Sequence, residues 1–236
     1  MAVITLTTDF GTADWFVGTM KGVIARLAAG APVIDITHEV ARGDIRAGAF
    51  ALAASCRFFP RKAVHVAVVD PGVGSTRAAI AVQTASAVFV GPDNGVLSWA
   101  LRGEKIKTIC RLENEQYFLH PVSRTFHGRD VFAPVAAHLS RGVDIRRLGP
   151  PADDFIHLPW PEPIRETDQV RGEVLHVDRF GNAITNLTTD EVRGRSATAP
   201  VVVLRGKSLC AVAAFYQAVR RGRPVAVVGS SGLLEI

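Results

Sequence analysis

The sequence predicts an α/β protein, with an N-terminal, mostly parallel α/β/α sheet domain and a smaller, mostly β C-terminal domain. Three observations lead there. Short apolar, β-branched runs alternate with helix-spaced apolar patterns through the first half of the 236 residues. A proline-bearing stretch interrupts the chain, and short strand-like runs dominate after it. Polar clusters follow directly on the first three apolar runs, at the strand ends where open α/β sheets bind ligands.

Residues 3–7 form an apolar run that predicts a first strand, followed by a helical pattern over about 14–29. Residues 33–37 predict a second strand and 45–59 a second helix. Residues 63–69 predict a third strand, ended by Pro71, Gly72 and Gly74. This βαβαβ rhythm implies parallel strands covered on both faces. Further strands are expected at 80–84, 87–90 and 106–112, with a helix near 131–140. Five of the thirteen prolines (Pro150, Pro151, Pro159, Pro161 and Pro163) fall together, so 150–168 reads as a linker between domains at 1–149 and 169–236. In the second domain, strands are expected at 170–178, 183–187, 201–204 and 225–228, and one helix at about 209–221.

Hydrophobic residues make up 48% and charged residues 21%, which predicts a folded chain rather than a disordered one. No apolar run approaches the roughly 18 residues of a membrane span, so no membrane partner is expected. The opening MAVITLTTDF lacks the basic start and cleavage site of a signal peptide and reads as a strand. Cys56, Cys110 and Cys210 are far apart in apolar runs, which argues against a disulfide framework or a CxxC metal site; a reducing cytoplasm is the expected location. The net charge of +5 raises the question of nucleic acid, but 22 Arg and 5 Lys are scattered. Their densest cluster, Arg220, Arg221 and Arg223, falls at an expected helix end, where the dipole favours cations. Aromatics do not interleave with them, so no nucleic-acid partner is expected.

The polar clusters carry the chemistry. Thr8-Asp9-Phe10-Gly11, Thr37-His38 and Asp70-Pro71-Gly72-Val73-Gly74 each end an apolar run, and parallel strands place those ends on one edge. Either aspartate alone reads equally well as a cap or turn former; the pair favours a site. The segment from Asp70 to Arg77 is a glycine-rich turn without the Lys-Ser/Thr ending of a phosphate loop, and it puts a carboxylate and a guanidinium on opposite arms. His127 stands ahead of a helix that Asp130 is placed to cap. Asp178-Arg179-Phe180-Gly181-Asn182 reads as a plain hairpin turn, or as a ring face and an amide offered to a purine. Gly229-Ser230-Ser231-Gly232 is a turn, or a carboxylate site built of hydroxyls and N–H groups.

In this order, and with Asp35-Ile36-Thr37-His38 and Phe126-His127-Gly128-Arg129-Asp130, these segments resemble the S-adenosylmethionine hydroxide adenosyltransferases, relatives of the fluorinases and chlorinases. The resemblance spans essentially the whole chain, and six ordered motifs are specific where each alone is weak. It implies that Asp70, Arg77 and His127 are the catalytic set and that Asp9 holds the ribose hydroxyls. It implies that Asp178 faces the methionine ammonium, Phe180 and Asn182 surround adenine with Tyr216 as a second wall, and Ser230 meets the methionine carboxylate. Asp14 and Glu235 complete the substrate-binding set. It further implies a homotrimer with sites between subunits, S-adenosylmethionine as substrate, no cofactor and no metal. Two departures stand out. Gly43 occupies a position that is aromatic in fluorinases, which predicts a looser wall. The sequence ends at Ile236, where relatives continue with a segment whose backbone touches adenine; the expectation is that this sequence is short or that adenine recognition is weaker.

The chemistry follows from the substrate. A sulfonium is already an activated leaving group, so the difficulty lies in the nucleophile. Arg77 beside Asp70 favours the charged carboxylate, which makes Asp70 chiefly an orienter of water and a late proton acceptor. Arg77 and His127 then stabilise developing hydroxide character. A halogenase is the nearest alternative, disfavoured because Asp70 repels a halide; a nucleoside-binding module without turnover is the other. The turn after the first strand has no GxGxxG, which argues against a dinucleotide enzyme.

Overall fold

The computed structural model describes residues 1–193, 200–220 and 222–236. The chain divides into two units, Met1–Leu158 and Pro159–Ile236.

The first unit is built on six strands: β1 (Ile4–Thr8), β2 (Val33–Thr37), β3 (Val64–Val68), β4 (Ala79–Thr84), β5 (Val88–Pro92) and β6 (Ile106–Arg111). Their order across the sheet is β2-β1-β3-β5-β4-β6. β2, β1, β3 and β5 run parallel, while β4 is antiparallel to both β5 and β6. Every residue of β1 and β3 is buried, Thr5, Thr7, Thr8 and His65 included, as strands covered on both faces require. α1 (Phe16–Leu27) buries Val17, Met20, Val23 and Ile24, a stripe at helical spacing. α2 (Ile45–Cys56) starts where the Asp44 side chain accepts from the Ala47 N–H, and it buries Gly48, Ala49, Phe50 and Leu52. A short α3 (Ser98–Leu101), unexpected from the sequence, follows β5. α4 (Ala133–Ser140) is entered through a π-helical turn at Gly128–Phe132.

Residues 150–158, read from the sequence as the start of a linker, instead pack on this first unit. The Pro150 carbonyl accepts from the Arg111 N–H, Phe155 is buried, and the Leu158 carbonyl accepts from the Trp99 indole. Proline removes donors but not acceptors or apolar surface, so a proline-bearing strap can still wrap a core.

The second unit is mostly β. β7 (Ile164–Arg165) pairs with β8 (Val170–Arg171). β9 (Val174–Val177) and β10 (Ala183–Thr188) form a hairpin, followed by a short α5 (Thr189–Arg193). β11 (Val201–Leu204) pairs with β12 (Lys207–Ala211). β13 (Val227–Val228) and β14 (Leu233–Glu235) complete a four-stranded sheet ordered β13-β14-β10-β9.

The helix expected at 209–221 is not there. Arg205 and Gly206 have φ of +51 and +76, a two-residue turn that folds residues 207–211 back onto β11. Pairing with that strand outweighs the local helical spacing, and only Tyr216–Ala218 makes a single 3₁₀ turn. Arg220 therefore ends no helix, and Arg221 lies outside the described residues. No helix among the described residues is long and apolar enough to cross a membrane.

Candidate active site

Parallel pairing brings three strand ends to one edge. Thr8 stands opposite Val68 and Thr7 opposite Thr37, so Asp9, His38 and Asp70 all leave the sheet on the same side. The Gly43 N–H donates to Asp9 Oδ2 at 2.8 Å, and a Cβ on Gly43 would lie 3.9 Å from Pro71. Gly43 has φ +73, a conformation that favours glycine, and nothing else crowds the space beside it.

After β3 the chain turns tightly: the Val73 N–H donates to the Asp70 carbonyl, and the Ser75 N–H to that of Gly72. Gly74 (φ +77) is the contact point with the 121–127 loop, because a Cβ there would collide with the Arg124 carbonyl oxygen. That close approach delivers His127 to Arg77. Arg77 Nε donates to both Asp70 oxygens at 3.0 Å, and Nη2 to Oδ2 at 2.5 Å. Nη2 also lies 2.7 Å from His127 Nδ1. The Asp70 and Arg77 side chains are only 4% and 11% exposed, so this bidentate pair works in a largely dry setting. The Arg77 guanidinium lies over the Phe132 ring at 5.5 Å.

A guanidinium only donates, so His127 Nδ1 must accept and the ring proton resides on Nε2. Burial and the Arg77 charge pull the His127 pKa below its ordinary value, against Asp70 and Asp130, which act to raise it. His127 is therefore a neutral ring whose Nε2–H is free of the Arg77 contact. Asp130 does not cap the helix as expected. It sits inside the π-helical turn, fully buried, where it accepts from the Ser123 N–H at 2.8 Å and pairs with Arg129. The bond from Ser123 ties the loop that leads to His127 back onto this buried carboxylate, a role that no local signal announced. Asp14, also expected in the site, is exposed just before α1.

In the second unit, Asp178, Phe180 and Asn182 stand in the β9–β10 turn, whereas the β13–β14 loop that carries Ser230 lies at the opposite, Thr188–Leu233 end of the sheet. Asp178 closes the β9–β10 hairpin: Oδ1 accepts from the Phe180 and Asn182 N–H groups, and Oδ2 from Asn182 Nδ2. Burial acts to raise its pKa, but these donors outweigh it and hold the carboxyl below its usual range. The plain-turn reading of this motif is thus satisfied, and Phe180 is left with its ring 82% exposed. The Tyr216 hydroxyl donates to Glu235. Burial, and then the Asp178 charge, push the Glu235 carboxyl up. Ser230 is exposed in the loop between β13 and β14, whereas its neighbour Ser231 has a buried hydroxyl with no hydrogen-bond partner among the described residues. Ser231 was missed because two adjacent serines in a turn give no sign of which one points inward.

The fold and site are those of an α/β enzyme with a polar strand-edge centre, and the comparisons say which. Residues 4–149 match the SAM hydroxide adenosyltransferase N-terminal domain and residues 172–236 its C-terminal domain. This chain belongs to that family. It is 49% identical over 184 residues, 76% of this chain and 69% of the relative, to the (R)-S-adenosyl-L-methionine hydrolase of Salinispora arenicola strain CNS-205. The crystal structure of an uncharacterized conserved protein from Thermotoga maritima superposes with a TM-score of 0.93 at 38% identity, covering 99% of this chain and 91% of that one. The fluorinase of Actinoplanes sp. strain N902-109 is a distant relative, 23% identical over 99% of this chain and 90% of its own. Among the described residues, no group of three or more His, Cys, Asp or Glu side chains is placed to hold a metal ion.

Proposed function

We propose that this enzyme hydrolyses S-adenosyl-L-methionine to adenosine and L-methionine, with water attacking C5′ in line with the sulfonium. The Asp70–Arg77–His127 constellation carries the reading, together with membership of the family. The water oxygen forms a bond to C5′ as the C5′–S bond breaks, and the electron pair neutralises sulfur. The surplus proton passes from the attacking water to Asp70 and on to solvent. Asp70, gripped by two Arg77 nitrogens, orients the water and takes the proton late. The neutral His127 Nε2–H and the Arg77 charge stabilise hydroxide character as it develops. Positioning of this kind supplies several of the roughly 7–11 kcal/mol available from orientation.

In the same reading Asp9 and Asp14 serve the ribose end, and Phe180, Asn182 and Tyr216 the adenine. Asp178 and Ser230 serve the methionine ammonium and carboxylate, and Glu235 stands behind Tyr216. The catalytic domain is 1–149, with the 150–158 strap packed on it, and the substrate-binding domain is 169–236. The assembly is a trimer in which one copy's large domain meets another's small one, in a cytoplasmic protein that needs neither metal nor cofactor and takes no nucleic-acid partner. The name of the Salinispora relative specifies the R epimer at sulfur, which makes that epimer the first substrate to try.

The test is an incubation with each sulfonium epimer in the presence of a chelator, followed by chromatography. Adenosine and methionine in equal amounts are expected. Loss of activity on chelation, or 5′-chloroadenosine formed ahead of adenosine in chloride buffer, rejects the reading.

A further inference from the structure

Beside the catalytic set lies a second polar chain, buried at its Thr8–His38 end, that the mechanism above does not use. Thr8, the last residue of β1, is fully buried, and its Oγ1 lies 2.8 Å from Nδ1 of His38, which is 4% exposed. His38 Nε2 lies 3.1 Å from Asp35 Oδ1, an ion contact without hydrogen-bond alignment, and Asp35 Oδ2 is 2.6 Å from Lys21 Nζ on α1. A carboxylate beside Nε2 favours the proton there, so Nδ1 accepts and the Thr8 hydroxyl donates. The oxygen of that hydroxyl accepts in turn from the Phe10 N–H at 3.2 Å. On the far side, the Gly11 N–H donates to the His38 carbonyl at 2.7 Å.

Asp9 is the residue enclosed by these bonds. Residues 8, 10 and 11 are tied to one another or to His38, while the Asp9 carboxylate is tied to the Gly43 N–H five residues past His38. A β-strand end is ordinarily free to fray or rotate, and a carboxylate there would sweep a wide arc. Here both its backbone and its oxygens are referred to one segment, His38 to Gly43.

We infer that Thr8 and His38 are positioning residues for Asp9, and that the Thr8–His38 hydrogen bond sets the affinity for the ribose of the substrate. The inference rests on the proposed role of Asp9 as the carboxylate that binds the ribose hydroxyls. Neither residue touches the reacting atoms, so losing the bond weakens binding and spares chemistry.

The test compares kcat and KM for S-adenosylmethionine in Thr8→Val, Thr8→Ser, His38→Leu, His38→Asn and Asp9→Asn, with adenosine binding followed by calorimetry. Thr8→Val and His38→Leu are expected to raise KM and the adenosine Kd about tenfold, the effect of one positioning hydrogen bond, with kcat nearly unchanged. Thr8→Ser keeps the hydroxyl and His38→Asn an acceptor, and both should restore near-native KM. The inference is overturned if Thr8→Val retains native KM, if kcat falls in step with binding, or if the serine and asparagine variants are as impaired as the apolar ones. If Thr8→Val does not fold, the two His38 variants decide by the same criteria. Should Asp9→Asn itself bind normally, the ribose role falls and this inference with it. A defective Asp9→Asn beside an unaffected Thr8→Val removes the inference alone.

Discussion

Asp70 and Arg77, seven residues apart in sequence, face each other across a tight turn with their side chains almost wholly out of water. Such a pair orders its surroundings through direction as well as charge, since the guanidinium fork has one preferred approach to a carboxylate. Asp70→Asn keeps the shape but cannot take a proton, and it should lower kcat by about 10²-fold or more while leaving KM within a few-fold. Phe180→Ala should do the reverse, raising KM with little change in kcat, because its largely exposed ring offers a stacking face and no reacting group. Steady-state kinetics on both variants check this; an active Asp70→Asn places the water elsewhere. His127 adds a pH signature. Its neutral form is the one that accepts from Arg77, and its pKa is lowered, first by burial and then by Arg77. Activity should therefore persist below the ordinary histidine value of about 6.5 and fall only as pH drops through the lower, folded-state value, where a proton on Nδ1 breaks the bond. A kcat–pH profile with its acid limb at or above 6.5 contradicts the neutral role.

Among the elements, β3 does most to place the site, and its neighbours leave it no slack. A Cβ on Gly91 of β5 would lie 2.5 Å from the Ala67 carbonyl oxygen of β3. A Cβ on Gly48 of α2 would lie 2.8 Å from Val69 Cγ2, one residue short of Asp70. Asn94 Nδ2 donates to the Val69 carbonyl at 2.9 Å and holds the strand end from the β5 side. Gly91→Ala has only backbone to push against, so it should destabilise the fold by about 1–3 kcal/mol. Because the strand that moves ends at Asp70, kcat should fall as well. Urea unfolding alongside kinetics tests the coupling: a variant with native stability and native kcat shows that β3 and β5 are free to spread.

At the scale of the molecule, the proposed duties are split between two units. Asp9, Asp70, Arg77 and His127 belong to Met1–Leu158, and Asp178, Phe180, Asn182, Tyr216, Ser230 and Glu235 to Pro159–Ile236. A site shared between copies makes a distinct forecast. Asp70→Asn and Asp178→Ala, each nearly inactive alone, should regain activity when mixed and allowed to exchange subunits, because some sites then receive an intact half from each parent. Mixtures that stay at the sum of the parents, or a monomer fully active at assay concentration, reject the shared site.

The class of sheet and the edge on which the chemistry sits are both written in the chain's local pattern. Short, β-branched and largely apolar runs are what strands buried on both faces require, and parallel strands put the residues that follow them on one side. Asp9, His38 and Asp70 were legible for that reason, sixty-one residues apart though the two aspartates are. Tertiary structure alone decided which of those groups work together. The contact of Arg77 with His127 spans fifty residues and depends on Gly74 admitting the Arg124 carbonyl, and no local pattern encodes such an approach. The same holds for Asp130, which a local reading makes a cap and the fold makes a buried anchor, and for Ser231, the inward member of an indistinguishable pair. It holds equally for residues 209–211, where helical spacing gave way to a strand. Local propensity is worth tenths of a kcal/mol per residue, whereas a partner strand delivered by a turn satisfies a whole row of backbone donors and acceptors at once.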